Sequence, residues 1–168
     1  MSNRCRALTL IELLVVIAIL SVLLGITVPR FSGFGSHSRL LSQARRISGA
    51  VRYSYEQAIK SGKPHRLNYD IDKQNYWITY MDEKGEFEEA EDILAKKRAL
   101  TQDIKFKGIR KAISQINYGR AYTQFSPKGF AEKTIIYLQD NNSNIISVVI
   151  NPLTAETDIQ EGIIKING

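Results

Sequence analysis

Cysteine and histidine are scarce in this sequence, which limits the kinds of chemical site that it can build. Its 168 residues include one cysteine, Cys5, and two histidines, His37 and His65. A single cysteine excludes a disulfide framework, and we expect each histidine to be a solvated residue rather than a ligand. The sequence also lacks a glycine-rich phosphate loop and a nucleophile elbow. It therefore predicts no catalytic residue, no metal site and no cofactor, and a protein that is not an enzyme.

Charge is absent from a long stretch near the amino terminus. The 17 residues from Leu13 to Pro29 carry no charge, and Glu12 is the only charged residue after Leu8 in this part of the chain. As a helix, residues 8–29 measure about 33 Å, which is enough to cross the core of a bilayer. A buried core helix is disfavoured because this one would be apolar on every face. A cleaved secretory signal is disfavoured because no small-residue cleavage pattern follows. We therefore predict a transmembrane helix over 8–29.

Basic residues are placed unevenly around this helix. Arg4 and Arg6 precede it and should hold its amino end in the cytoplasm. Residues 30–66 carry eight basic side chains and one acidic, whereas residues 67–168 carry 13 basic and 15 acidic. The basic excess beyond the helix opposes the usual orientation rule, but only Arg30 is adjacent to the apolar stretch. We expect a single-pass protein whose distal domain lies across the membrane.

Glu12 needs a partner if it lies in lipid. A carboxylate in hydrocarbon costs at least about 2.5–3.5 kcal/mol on insertion scales. If the chain were cut between Ala7 and Leu8, the new amino group would lie four residues before Glu12, one helical turn away. That amine can pair with Glu12 of its own chain or of a neighbouring chain. The alternative is a glutamate tolerated near the lipid headgroups.

The sequence after Pro29 predicts a second helical half. Two glycines predict a bend or a partly melted stretch over residues 31–36. Apolar residues then recur on one helical stripe, formed by Leu40, Ala44, Ile47, Val51, Tyr55 and Ala58. Gly62 and Pro64 should end the helix. We predict that residues 30–63 form an amphipathic helix that packs its stripe on the distal domain.

Residues 64–168 predict a β-rich domain. Alternating apolar residues and high strand propensity indicate two hairpins, made by residues 66–71 with 76–81 and by residues 133–138 with 145–150. Shorter strands are predicted at residues 104–106, 121–125 and 163–166. Segment 86–99 is either a short helix, since its acidic start and basic end suit the helix dipole, or a charged loop. The predicted fold class is α+β, with a long amino-terminal helix packed against a carboxyl-terminal antiparallel β-sheet domain.

Two other clusters are given structural interpretations. The acidic residues from Asp82 to Asp92 lack the spacing and the glycine of an EF-hand loop, so a solvated acidic face is favoured over a calcium site. Four aromatic residues are expected in the core and on a sheet face rather than in a ligand platform, namely Tyr69, Tyr76, Trp77 and Tyr80.

The segment Ala7-Leu8-Thr9-Leu10-Ile11-Glu12-Leu13-Leu14-Val15-Val16 resembles the type IV prepilin signature. In that family a short basic leader is removed by prepilin peptidase, the new amino terminus is N-methylated, and the apolar helix becomes the core of a filament. The resemblance implies a leader over residues 1–7, cleavage between Ala7 and Leu8, and methylation of Leu8. It also implies that Glu12 guides assembly and that the helix kinks at Pro29. The family usually has glycine where Ala7 stands and phenylalanine where Leu8 stands.

Three segments of the distal part resemble the H-type (GspH/FimT) branch of pilin-like proteins, namely residues 44–64, 125–129 and 151–154, although that branch usually has glycine where Ala155 stands. The resemblance implies a pilin-like fold and a minor subunit of a type II secretion pseudopilus or a type IV pilus. Its implied partners are other pilin or pseudopilin subunits, prepilin peptidase, an inner-membrane assembly platform and membrane lipid. The implied location is the bacterial inner membrane, with a periplasmic distal domain, and then the assembled filament.

Two alternative functions stay open at this point. One is a DNA-uptake pilin in which Arg45, Arg46 and Arg52 contact phosphates; it is possible but not favoured, because the domain beyond is net negative. The other is a membrane-anchored β-domain that never assembles. An uncleaved amino terminus in cells that contain prepilin peptidase would favour that last alternative.

Overall fold

A computed structural model describes the chain over residues 10–27, 32–90 and 92–164. The chain divides after Gly35 into an amino-terminal unit and a carboxyl-terminal unit. The predicted leader, residues 1–7, together with Leu8 and Pro29, lies outside the described residues.

Helix α1 spans Leu10–Thr27 and contains one charged residue, Glu12, in its first turn. It has no proline, and its leucine, isoleucine and valine side chains from Leu10 to Leu23 are exposed on every face. In the part of the chain that the structure describes, no helix combines the length and the hydropathy needed to cross a membrane.

Helix α2 spans Ser32–Ser61. Of the two alternatives predicted for residues 31–36, a partly melted stretch is wrong from Ser32 to Ser36, which are helical, and the bend stays a prediction. The helix-breaking effect of two glycines, about 1 kcal/mol each, is opposed by tertiary contacts, because Asn142 Nδ2 donates to Ser36 Oγ at 3.1 Å. The carboxyl end is as predicted: Gly62 adopts a left-handed φ of 68° just after the last helical residue.

The predicted stripe of α2 is confirmed. Its aliphatic members are buried, namely Leu40, Ala44, Ile47, Val51 and Ala58. Tyr55 is partly buried and donates its hydroxyl to the carbonyl of Gly129 at 3.2 Å. Gln43 is buried beside the stripe, and its Oε1 accepts from the Thr101 hydroxyl at 3.0 Å. The helix is therefore fixed to the β-structure by apolar packing and by a few directed hydrogen bonds.

The strands in the described residues are β1 (His65–Asp70), β2 (Asn75–Met81), β3 (Phe87–Glu89), β4 (Arg98–Ala99), β5 (Ile104–Lys111), β6 (Gln115–Ile116), β7 (Arg120–Ser126), β8 (Phe130–Ala131), β9 (Thr134–Asp140), β10 (Ile145–Ile150) and β11 (Thr157–Glu161). They form two antiparallel sheets where one was predicted. The first has the order β3-β2-β1-β7-β8, with β4 also paired to β2, and the second has the order β11-β10-β9-β5-β6.

Both predicted hairpins are confirmed. In the first sheet β1 pairs with β2, with Leu67 opposite Ile78. In the second sheet β9 pairs with β10, with Ile136 opposite Val148. Alternation identified β1, whose burial follows a period of two over its first four residues, and strand propensity identified β2.

Of the two alternatives for segment 86–99, the short helix is wrong, and the charged loop describes only the turns between two short strands. This segment contains β3 and β4 with turns between them. Its backbone is bonded to β2, since the Ile78 amide donates to the Ala95 carbonyl at 3.0 Å and the Ala90 amide donates to the Ile78 carbonyl at 3.4 Å. A helix would give up these bonds and would expose the buried side chain of Ala95.

The strand predicted at 163–166 is also wrong where it can be checked. Ile163 and Ile164 lie in no strand, and residues 165–166 fall outside the described residues. The last strand is β11, which ends before Gly162, a residue with a φ of 83°. The Gly162 amide donates to the Ile145 carbonyl at 2.8 Å and closes the pairing with β10.

One hydrophobic core joins both sheets and α2. Tyr69 of β1 lies fully buried in it, with its ring edge-on to Phe106 of β5 at a centroid distance of 5.8 Å. Its hydroxyl is paired with Thr123 Oγ1 at 3.0 Å. Burial raises the pKa of Tyr69 far above its usual value, so this phenol stays neutral in the folded domain. The prediction of a core role for the aromatic cluster is confirmed here.

Candidate assembly interface

Glu12 is the predicted assembly residue that the structure describes. It occupies the third position of α1, within the first turn, and its side chain is exposed. A carboxylate in the first turn is favourably placed relative to the helix dipole, whose positive end is at the amino terminus. The other predicted site residues, Ala7, Leu8 and Pro29, lie outside the described residues.

The surface of α1 is apolar on all sides. Every leucine, isoleucine and valine from Leu10 to Leu23 is at least 45% exposed, and Leu10 reaches 82%. Burying one such side chain is worth about 1.5–3 kcal/mol, so leaving all of them in water is strongly unfavourable. An evenly apolar helix suits surroundings of lipid or of other apolar helices.

The polar groups on this helix are few. Ser21 donates its hydroxyl to the carbonyl of Ile17, one turn earlier, at 2.8 Å. This back-bond satisfies the hydroxyl within the helix, so Ser21 is compatible with apolar surroundings. Glu12 is consequently the only charged group of α1.

The basic residues on α2 form no continuous cationic surface. Arg45 and Arg46 are exposed, but Arg52 Nε lies 2.8 Å from Glu56 Oε1 in an ion pair one turn along the helix. Arg39 pairs with Asp103 at 3.4 Å. The structure therefore does not bring the three arginines proposed for DNA together as unpaired cations.

The two histidines differ from each other. His37 is exposed, as predicted, with Nε2 3.4 Å from Glu161 Oε1. The prediction that His65 is solvated is wrong: it begins β1, is only 7% exposed, and its Nδ1 lies 3.0 Å from the Lys63 carbonyl. Burial lowers the pKa of His65, because the charged imidazolium is poorly solvated there. Its side chain serves the packing of β1.

The acidic stretch has a structural link to α2. Tyr53 donates its hydroxyl to Asp92 Oδ2 at 2.6 Å, and Asp92 Oδ1 accepts the amide of Leu94 at 3.0 Å. Burial and the neighbouring carboxylate raise the pKa of Tyr53 to about 12, while the bond from Tyr53 lowers the pKa of Asp92. Within the residues described, no three Asp, Glu, His or Cys side chains gather as ligands for a metal ion.

Two family models match this chain, one at its amino terminus and one over most of the remainder. Residues 2–28 match the prokaryotic N-terminal methylation motif, and residues 43–154, about two thirds of the chain, match the family described as type II transport protein GspH. The first match contains the predicted cleavage and assembly residues. The second contains most of α2 and the strands up to β10.

One curated relative is the type II secretion system protein H of Pseudomonas aeruginosa. It is 37% identical over 79 residues, which cover 46% of this chain and 44% of the relative. The matched part thus spans less than half the length of that relative.

Two solved structures of the minor pseudopilin EpsH, from the type II secretion system of Vibrio cholerae, share the fold. They superpose with TM-scores of 0.54 and 0.58, each at 9% identity. The superpositions cover 74% and 76% of this chain, and 96% and 98% of the EpsH chains. At this identity the likeness establishes the pilin-like fold. The match over residues 43–154 shows that this chain belongs to the GspH family of type II transport proteins.

Proposed function

We propose that this protein is a minor pseudopilin subunit of a type II secretion pseudopilus. The observation that carries the proposal is a helix, α1, that is apolar on all sides and has a single carboxylate in its first turn. Membership of the GspH family supports it, because the named relatives are a type II secretion protein and a minor pseudopilin. The chain acts by assembly with other pseudopilin subunits and has no enzymatic activity of its own.

Processing prepares the charge partner of Glu12. In this proposal prepilin peptidase cuts the bond between Ala7 and Leu8, and the new amino terminus is methylated on Leu8. The cut removes the basic leader and places a positive amine one helical turn before Glu12. Prepilin peptidase and an inner-membrane assembly platform are therefore proposed partners.

Residues 8–29 then hold the subunit in the inner membrane until assembly. This apolar run extends beyond both ends of α1 as the structure describes it. The folded domain lies in the periplasm, and Pro29 marks the kink at the end of the membrane-embedded part. Lipid surrounds the apolar side chains at first, and the helices of other subunits replace it in the filament.

Assembly is guided by an ion pair between subunits. The carboxylate of Glu12 in one subunit pairs with the amine on Leu8 of its neighbour. This ion pair stays formed as the helix leaves the membrane. Removing one member of a buried ion pair costs about 3–5 kcal/mol. That corresponds to at least about a hundredfold loss in an assembly equilibrium.

A substitution at Glu12 tests this proposal. In cells that contain prepilin peptidase and overproduce the pseudopilus, Glu12→Ala should leave the protein in the membrane fraction and reduce its amount in sheared filaments by about a hundredfold. Ser21→Ala is the matched control on the same helix, since the Ser21 hydroxyl is bonded only to its own helix. Equal recovery of Glu12→Ala and the unsubstituted protein in filaments would instead indicate a simple membrane anchor.

A further inference from the structure

We propose that the outer face of the first sheet binds an acidic segment of a protein partner, with Arg66 taking a carboxylate. The aromatic rings of this face have cations lying over them, from the first sheet and from neighbouring segments. Arg66 lies over Phe87 and Tyr122, Lys111 over Tyr122, and Lys97 and Arg120 over Trp77. We call the set of Arg66, Phe87, Tyr122 and Gln124 the arginine clamp.

The arginine clamp holds its guanidinium rigidly. Arg66 Cζ lies 3.6 Å from the ring centroid of Phe87 and 4.2 Å from that of Tyr122. Its Nε donates to Gln124 Oε1 at 3.0 Å. The clamp is assembled from three strands, because Phe87 is on β3, Arg66 on β1, and Tyr122 and Gln124 on β7. A guanidinium fixed by two rings and one hydrogen bond is ready to bind a planar anion with little loss of side-chain freedom.

Arg66 differs from Lys111 and Arg120 in lacking a carboxylate partner among the described residues. Lys111 Nζ is 2.9 Å from Glu132 and Arg120 Nε is 3.4 Å from Asp70. Among the described residues, no carboxylate lies within 4.0 Å of the Arg66 guanidinium. Its terminal nitrogens donate to no acceptor in the same part of the chain, although its side chain is only partly exposed. These terminal N–H groups form the edge that accepts a carboxylate in two parallel hydrogen bonds.

The charge pattern favours an acidic protein over nucleic acid. A nucleic-acid strand needs several unpaired cations along its phosphates, whereas Lys111 and Arg120 are already paired with carboxylates. Residues 67–168 as a whole carry 13 basic and 15 acidic side chains. One unpaired fork held between two aromatic rings fits a carboxylate of an acidic peptide segment. All of these groups lie in the carboxyl-terminal unit, so this site does not depend on assembly through α1.

Titration of the full-length protein in detergent micelles tests the site. The probe is an acetylated and amidated hexaglutamate peptide, and the readout is the Nε–Hε NMR signal of Arg66, assigned by its loss in Arg66→Lys. Saturable movement of this signal is expected. The affinity for the peptide is measured by the fluorescence of Trp77, the only tryptophan in the sequence. It should fall about tenfold in Arg66→Lys, which keeps the positive charge but loses the planar guanidinium.

A matched control separates the site from general charge attraction. Arg66→Gln and Arg45→Gln remove the same charge, but Arg45 is exposed on α2 and is not clamped between rings. Arg45→Gln should bind hexaglutamate within about twofold of the unsubstituted protein, whereas Arg66→Gln should show no saturable binding. Equal effects of the two substitutions, or the absence of saturable binding to the unsubstituted protein, would overturn the proposal.

A substitution in the aromatic wall of the clamp gives a second test. Phe87→Leu keeps every charge and removes one wall of the clamp, so affinity should fall about threefold even if the variants at Arg66 fail to fold; unchanged affinity would contradict the clamp. Each variant is checked by its thermal unfolding midpoint.

A thymidine oligonucleotide of the same net charge as the peptide is titrated in parallel. Tighter binding of the oligonucleotide, with the same dependence on Arg66, would reassign the face to nucleic acid.

Discussion

Ala155 has a backbone conformation that L-amino acids rarely adopt. It lies in the turn between β10 and β11 with a φ of 52°, in the left-handed region that favours glycine. Its amide donates to the Asn151 carbonyl at 2.9 Å, and its side chain is buried. The sequence resemblance placed a glycine at this position in related proteins, and the angle gives the physical reason.

Substitutions at Ala155 should separate backbone strain from packing. Ala155→Gly relieves a left-handed penalty of about 1–2 kcal/mol, but it loses about 0.8 kcal/mol of methyl burial and about 0.5–1 kcal/mol through a more flexible unfolded chain. We expect its free energy of unfolding to change by less than about 1 kcal/mol. Ala155→Val adds a β-branched side chain at positive φ and should destabilise by more than about 2 kcal/mol.

Denaturant unfolding of the full chain in micelles measures both variants at Ala155. The left-handed turn would be contradicted if Ala155→Val left the free energy of unfolding unchanged. It would also be contradicted if Ala155→Gly lowered that free energy as much as Ala155→Val.

At this scale the sequence predicted side chains whose environment is local and missed those whose environment is tertiary. Glu12 was identified from its isolation in an apolar run. His65 was expected in solvent because it follows Pro64, yet β1 lies between β2 and β7, which places this residue opposite both Tyr80 and Phe125. Likewise, the ring of Tyr122 is 56 residues from Arg66 in sequence, so no local pattern indicates the arginine clamp.

Among the elements, α2 follows most directly from the sequence. A repeat of apolar residues at helical spacing predicts both the helix and its buried face, and the structure buries that face against both sheets. The element has two isoleucines in contrasting places. Ile47 is fully buried, whereas Ile59 is 47% exposed.

These two isoleucines give a matched test of the packing of α2. Ile47→Ala should lower the free energy of unfolding by about 2–5 kcal/mol, because it leaves a cavity in the core. Ile59→Ala makes the same chemical change on the same helix and should cost less than about 1 kcal/mol. Thermal and denaturant unfolding measure both, and equal destabilisation by the two substitutions would mean that α2 does not pack as described.

Strands were predictable where apolar residues alternate or strand propensity is high, as in β1 and β2. β11 was missed because Thr157–Glu161 is mostly polar and lies at the edge of its sheet, so it has little apolar pattern. The sequence left segment 86–99 open between a short helix and a charged loop, because its charges suit a helix dipole, whereas its structure is set by backbone bonds to β2. Propensity is a weak guide where tertiary hydrogen bonds decide.

For the whole molecule, the class of fold and the family were predictable, while the division into two sheets was not. Each strand pattern specifies a face, but the choice of neighbour depends on partners far apart in sequence, as in the pairing of β5 with β9. The proposed function depends on both units of the chain. The carboxyl-terminal unit supplies a stable domain, and the amino-terminal unit supplies an apolar helix with a single carboxylate, Glu12, in its first turn.

Amino-terminal mass spectrometry of the protein extracted from membranes shows whether the amine that pairs with Glu12 is formed. In cells that contain prepilin peptidase, we predict a mature chain that begins with N-methylated Leu8 and lacks Cys5. In cells without the peptidase, the same chain should keep its first seven residues. An intact leader in the presence of the active peptidase would contradict the account, because the amine that pairs with Glu12 would never be formed.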